Sequence, residues 1–419
     1  MSQDTTTAIR DAGPDASAHL GGQVPGHIPP ELVRNIDIYN MPGASLDAHA
    51  AWADVARTQP AVFYTPHHGG YWVLNRAELI ATAFEDHERF ASSGAISIPA
   101  TPPEIPPQLP IMADPPVHRY FRQPLNLALG PKHVNALSEQ ARVLAIELID
   151  GLKARGECEF MADFAMHLPM TIFLHMVELP LSDREWLISR VEVMPRAVDQ
   201  AERLRAYREI VGYLDAVVRR RALEPGQDLI SRILQVKVGD RPITHEEALS
   251  EAALSLFGGL DTVAGTMGFF ARFLAEHPSH RKQLVDDPSL IPRAVDELLR
   301  RFAIPSVARR VAQDMEFGGV SMKANDLVIL TTSLHGLDPH AWNDATQVDF
   351  QRPGSDILTF GRGVHKCPGL TLARAELRIF LEEWLARIPD FCIAPGRQPL
   401  TAGGNVIGML ALPLVWPVH

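Results

Sequence analysis

From His118 to about Arg301, apolar residues recur every three or four positions among Ala, Leu, Glu and Arg. That periodicity predicts a series of helices, each with one buried face. Pro169, Pro180, Pro225-Gly226 and Gly239-Asp240 with Pro242 punctuate the run. Thr244 followed by Glu247 predicts a capping box that opens another long helix. Upstream, Ala61-Val62-Phe63-Tyr64 and Tyr71-Trp72-Val73-Leu74 read as two strands of a hairpin, followed by a helix. The connecting Thr65–Gly70 places His67 and His68 in a turn rather than in a metal site. After Phe302 the texture shortens. Met315–Phe317 and Asp326–Leu330 look β-like around Gly318-Gly319, a turn-rich stretch reaches Arg362, a helix covers about Gly369 to Arg387, and Val406–Trp416 is β-like again. The expected class is mainly α (α+β): a large helical domain with small sheets, not a βαβ repeat.

Two segments break the pattern. Residues 1–30 are rich in Gly, Ser, Thr and Asp and are expected to form a flexible tail. No linker divides the rest, so 31–419 is expected to be a single domain. Residues 99–116 hold eight prolines, a density that excludes helix and central strand and predicts a long, stiff loop. Such a loop serves either as a surface connector or as part of a site.

The residues are 46% hydrophobic and 21% charged, enough for a large core. A net charge of -11 argues against nucleic acid as a partner. The N-terminus lacks the basic-then-apolar order of a signal peptide, and no apolar stretch is expected to be long enough to span a bilayer. The expectation is a cytoplasmic protein with no membrane partner. The three cysteines, Cys158, Cys367 and Cys392, offer neither a disulfide framework nor zinc-site spacing.

One cysteine stands apart. Phe360-Gly361-Arg362-Gly363-Val364-His365-Lys366-Cys367-Pro368-Gly369 folds a tight loop ahead of a helix, where backbone N–H groups favour a thiolate. On these residues alone Cys367 is a structural thiol, a nucleophile or a metal ligand, and no Ser/His/Asp-type partner supports the nucleophile. The Phe-x-x-Gly-x-x-x-Cys-x-Gly pattern resembles the haem-binding loop of the cytochrome P-450 superfamily. Phe257–Val263 and Trp384–Phe391 resemble its bacterial camphor-hydroxylase-type members. The resemblance runs from about residue 35 to the C-terminus. It implies that Cys367 is the protein ligand to the iron of haem b (iron protoporphyrin IX), with Phe360 and Gly361 in the cradle. A thiolate pushes electron density toward bound oxygen and favours O–O cleavage.

Further positions take their meaning from the same resemblance. Glu297 and Arg300 share a helix face; they would form a buried structural pair with Arg352 as a third member. Gly258 and Gly259 each cost about 1 kcal/mol inside a helix, and Asp261 and Thr262 follow them in apolar surroundings. By resemblance, Thr262 holds a water beside the oxygen-binding face and Asp261 relays protons, with Arg196 as a gating partner. His118, Arg122, Arg309 and His365 would hold the haem propionates.

The chain carries no flavin, nicotinamide or iron–sulfur signature, so electrons come from outside. The resemblance implies a two-iron (2Fe-2S) ferredoxin with its ferredoxin reductase, docking on Arg119, Arg122, Arg362, Lys366 and Arg374. Dioxygen and a small apolar substrate complete the partners. The substrate pocket would include Ser97, Ile98, Pro106, Ile111, Leu254, Phe257, Gly258, Pro305, Asn405 and Val406. Camphor-type members carry a Tyr in the loop before Asp-Pro-Pro; here no Tyr lies between Tyr71 and Tyr120. Camphor itself is therefore disfavoured, with Asn405 or Ser97 as weaker donors. The expected function is a haem-dependent monooxygenase acting on a terpenoid (a monoterpene or norisoprenoid). The alternatives are a peroxygenase or fatty-acid hydroxylase on the same fold, and a non-catalytic haem sensor.

Overall fold

The computed structural model describes residues 22–101, 106–191, 193, 200–353 and 356–418. Thirteen of its helices position the site: α1 (Ala44–Thr58), α2 (Ala77–Glu85), α3 (His118–Ala128), α4 (Pro131–Lys153), α5 (His167–Met176), α6 (Arg184–Val191), α7 (Gln200–Leu223), α8 (Leu229–Ile233), α9 (His245–Glu276), α10 (Pro278–Asp286), α11 (Ile291–Arg301), α12 (Thr332–Leu337) and α13 (Leu370–Arg387). Strands fall mainly before α3 and after α11, in small sheets. In the largest, Val62–Thr65, Tyr71–Leu74, Leu327–Thr331, Ser306–Val311 and Phe90–Ala91 lie side by side in that order. The first two form the expected hairpin, with Val62 opposite Leu74 and Thr65 opposite Tyr71.

The molecule is built around α9. The capping box is complete: the Thr244 hydroxyl accepts from the Glu247 N–H, and the Glu247 carboxylate accepts from the Thr244 N–H. Leu256, Leu260, Met267, Phe270 and Leu274 are buried along the helix, which packs against α5, α7 and α13. By length and hydropathy α9 does meet the test for a membrane span, contrary to the expectation above, but 56% of its most apolar window is buried inside the protein. A helix surrounded by other helices is apolar on all sides for that reason alone.

Beside α9, α13 packs along α4. Arg142 of α4 bonds Glu382 and Glu383 of α13. Trp384, fully buried, meets the rings of Phe160, Phe164, Phe380, Phe391 and Trp416 edge-on or tilted, geometries that aromatic quadrupoles favour.

Two of these expectations need correction, and a third gains a contact. Residues 22–30 are not a loose tail: Ile28 is buried and His27 Nε2 lies 3.0 Å from Asp326. A few apolar side chains suffice to tie down a polar segment; residues 1–21 lie outside the described residues. Pro169 does not interrupt a helix, because it sits in the first turn of α5, where its missing N–H has no intrahelical acceptor. The proline-rich loop does lack helix and strand among its described residues, but it is clipped to α9. The Ser250 hydroxyl donates to the Pro107 carbonyl and accepts from the Leu109 N–H.

Candidate active site

The cysteine loop is shaped by two left-handed glycines, Gly361 (φ 64°) and Gly363 (φ 68°). A side chain at Gly363 would meet the Phe84 carbonyl oxygen at 2.8 Å, so only glycine fits there. The Cys367 N–H donates to the Phe360 carbonyl at 2.8 Å, closing the loop. The N–H groups of Gly369 and Leu370, at the start of α13, and the charge of Arg122 all pull the Cys367 thiol pKa down, as the helix position predicts. Burial outweighs them, and the net effect in the protein alone is a raised pKa. A thiol so placed loses its proton to a metal more readily than to water.

The second wall is α9. Midway along this largely buried helix, Gly258, Gly259 and Asp261 are exposed and Thr262 is half-buried. A Cβ at Gly259 would meet nothing within 4 Å, and one at Gly258 only Leu254 at 4.0 Å. Protein packing therefore does not demand these glycines; they leave space for something that is not polypeptide. The helix runs on without a break, and the Thr262 hydroxyl donates to the Gly258 carbonyl at 2.8 Å. Asp261 is exposed on one side but surrounded by protein on the others, and this dehydration raises its pKa. Arg196, the suggested partner of Asp261, lies outside the described residues.

A cluster of two histidines and two arginines forms the rim. The rings of His118 and His365 are 4.5 Å apart, edge to face. Neither Nε2 atom has a hydrogen-bond partner among the described residues, and His365 Nε2 stands 3.8 Å from Asp114. Burial, with His365 and Arg122 nearby, pulls His118 down to about 4. Arg309 is buried, and its one described hydrogen bond goes to the neighbouring Ala308 carbonyl. Arg122 donates to Asn126 and to the Lys366 carbonyl of the cysteine loop. Buried donors without acceptors are costly. Two guanidinium groups and two imidazoles facing one carboxylate suit a ligand with two carboxylates of its own. With a sulfur ligand on the loop and an opening on α9, these residues fit haem b. Asp114, which sequence reasoning used only as a landmark, accepts from the N–H groups of Ser92 and Ser93; against the effect of burial, the nearby His365 imidazole and then those bonds hold its pKa low.

Glu297, Arg300 and Arg352 come together away from this rim. Arg300 donates to both Glu297 oxygens, at 2.8 and 2.9 Å, and to the carbonyls of Gly336, Ala345 and Gln347. Arg352 adds a 3.1 Å bond to Glu297.

Of the pocket residues, Ser97, Ile98, Pro305, Asn405 and Val406 form one group. Pro305 bridges Val406, and Asn405 Oδ1 accepts from the Ile98 N–H at 2.9 Å. Asn405 Nδ2 donates to the Tyr39 hydroxyl and to the Ile98 carbonyl, and Ser97 donates to the Pro99 carbonyl. The two suggested donors are therefore already committed to protein acceptors, which corrects their expected role. Ile111 is half-buried and Pro106 exposed on the proline-rich loop. Leu254 and Phe257 are half-buried on α9 beside Gly258, and Phe257 stacks on Tyr207 of α7 (centroids 5.9 Å, 20° between planes).

The suggested docking cations surround the cysteine loop but are not equally free. Arg362 pairs with Asp356 and Glu85, and Arg374 with Asp296 at 2.9 Å. Arg119 and Lys366 are exposed.

Comparison with known proteins decides the family. Residues 196–402 match the Cytochrome P450 family model. "Probable cytochrome P450 127A1" of Sinorhizobium fredii is 34% identical over 402 residues, covering 94% of this chain and 97% of the relative. The chain is a cytochrome P450. Cytochrome P450 130 of Mycobacterium tuberculosis is 31% identical over 359 residues, 82% of this chain and 88% of the relative. The solved structure of CYP101C1 superposes with a TM-score of 0.86 at 36% identity, covering 94% of this chain and all of that one. CYP101J2 gives 0.84 at 36% identity with the same coverage. This P450 is thus a monooxygenase that binds haem b through a cysteine thiolate and uses dioxygen, a substrate and a redox partner.

Proposed function

We propose that this P450 inserts one oxygen atom of dioxygen into a C–H bond of a compact apolar terpenoid, a monoterpene or norisoprenoid. Its electrons come from a two-iron ferredoxin and its reductase in the cytoplasm. The observation that carries the catalytic part is the opening at Gly258, Gly259 and Asp261, beside half-buried Thr262, midway along a helix whose following residues Val263–Ala271 are all buried. Haem b, when bound, supplies oxygen binding and activation. The chain supplies the protons: Asp261, with its raised pKa, keeps a proton closer to neutrality than an ordinary aspartate and can deliver it. Thr262 spends its hydroxyl proton on the Gly258 carbonyl, which leaves its oxygen free to accept a hydrogen bond from water. Neither a gas sensor nor an enzyme fed directly with peroxide needs such a relay, which disfavours both alternatives.

The substrate part rests on the apolar lining and on the Tyr207–Phe257 stack, which narrows the space beside α9. Burial at about 25 cal/mol per Å² then supplies most of the affinity. The test is a spin-shift titration of the ferric enzyme with camphor, cineole, ionones and long fatty acids. The proposal expects the largest low-to-high spin conversion with cineole or an ionone. A clear preference for camphor or for a fatty acid would sink it.

A further inference from the structure

We infer that the Tyr207 hydroxyl reads the substrate, donating a hydrogen bond to the single oxygen of a compact oxygenated terpenoid. The inference rests on the terpenoid reading above. Leu254, Phe257, Gly258 and Asp261 are three or four residues apart and therefore contiguous on one face of α9. Gly258 and Asp261 mark the opening, so Phe257 borders it, and Tyr207 lies parallel over the Phe257 ring. Tyr207 is held there by the rest of α7: Tyr213 donates to Asp183 at 2.6 Å and packs on Trp186, while Ile210 and Leu214 are buried.

The hydroxyl protons nearest the expected pocket are otherwise spent. Ser97 donates to Pro99, Tyr39 to Ile98, Thr332 to Pro305, Ser255 to Glu251 and Thr262 to Gly258, all backbone carbonyls. The Asn405 amide is committed on both sides. Tyr207 differs: it is half-buried with its ring stacked on Phe257, and among the described residues its hydroxyl makes no hydrogen bond. Burial raises its pKa, so it remains a neutral donor. An ether or ketone oxygen turned toward α7 would satisfy it, from a different element than the loop that lacks a tyrosine.

The test compares two ligands of one carbon skeleton, cineole and p-menthane, which differ by the ether oxygen. Spin-shift titrations use the haem-loaded wild type and Tyr207→Phe, which keeps the ring stack. Wild type is expected to bind cineole about tenfold tighter, the equivalent of one net hydrogen bond of about 1.4 kcal/mol. In Tyr207→Phe that advantage should vanish through weaker cineole binding, with p-menthane unchanged. Retention of the advantage, or equal weakening of both ligands, overturns the inference. Failure of both ligands to shift the wild-type spin state refutes the terpenoid reading itself.

Discussion

Glu251 gives the sharpest test of the packing. Its side chain lies in the interior of α9 at 0% exposure, and neither carboxylate oxygen has a partner among the described residues. Burial pushes its pKa from 4.5 up to about 9. The folded state therefore binds a proton that the unfolded chain releases above pH 4.5. By linkage, stability falls as pH rises from the unfolded value toward the folded one, at up to about 1.4 kcal/mol per pH unit. Glu251→Met replaces the carboxyl with an unbranched apolar chain of similar length and should abolish that slope. Relative to wild type, the variant should gain stability between pH 5.5 and 8.5 by an amount on the order of 2–4 kcal/mol. Urea unfolding followed by far-UV circular dichroism, at four pH values, measures the difference. Glu376 on α13, raised to about 8 by burial, contributes a slope of the same sign but is present in both proteins and cancels. A wild-type-to-variant difference that stays flat from pH 5.5 to 8.5 would refute the reasoning, because it would mean Glu251 is ionised within the fold.

Cys367→His should lose the red-shifted Soret band of the reduced carbon monoxide complex, while changes at Cys158 or Cys392 should leave it alone; retention of the band in Cys367→His rules out that ligand. Thr262→Ala is expected to bind substrate and consume oxygen but to release hydrogen peroxide in place of product, and Asp261→Asn to slow turnover; product per electron is the measurement, and an unchanged ratio in Thr262→Ala removes the residue from the chemistry. Electron transfer from a two-iron ferredoxin should weaken as salt rises. Arg119→Glu should lower its second-order rate more than substrate affinity, and more than Arg374→Glu does, because Arg374 is already paired with Asp296. Equal rates in wild type and both variants would place the docking face elsewhere. Glu297→Leu leaves the buried Arg300 charge without its carboxylate and should cost about 3–5 kcal/mol, with the double variant Glu297→Leu/Arg300→Leu costing less than the two single changes added. A fully additive cycle in urea unfolding would show that the pair is not coupled.

How far the sequence reached depended on whether a feature was local. The Thr244–Glu247 capping box, the hairpin around residues 65–70 and the helix after Cys367 depend on residues a few positions apart, and the structure contains each of them. So does the Glu297–Arg300 pair, one turn apart on α11. Asn405 illustrates the opposite case. Its free-looking amide is taken up by Tyr39 and Ile98, more than 300 residues away in the chain, and no local pattern reports such a closure. Tyr207 and Phe257 meet only because α7 crosses α9. The clip from Ser250 to Pro107 and Leu109 spans more than 140 residues, which is why composition alone left the loop undecided between connector and site wall. For Glu251 the sequence gives a polar residue in an apolar run, but only the packing of the neighbouring helices removes its solvent.

The glycines of α9 show why one residue type carries two meanings within twelve positions. At Gly268 a Cβ would stand 2.7 Å from the Met161 sulfur and 2.8 Å from Met409, so the helix touches its neighbours there and glycine is a packing requirement. At Gly259 the same atom would touch nothing. Each glycine weakens the helix by about the same 1 kcal/mol, but only the first recovers that cost through contacts within the protein. On the function proposed above, the cost at Gly258 and Gly259 is recovered through the room they leave beside Asp261 and Thr262. Contact with the fold therefore separates the glycine that packing requires from the two that packing does not. The opening ends at Thr262, and every residue from Val263 to Ala271 is buried.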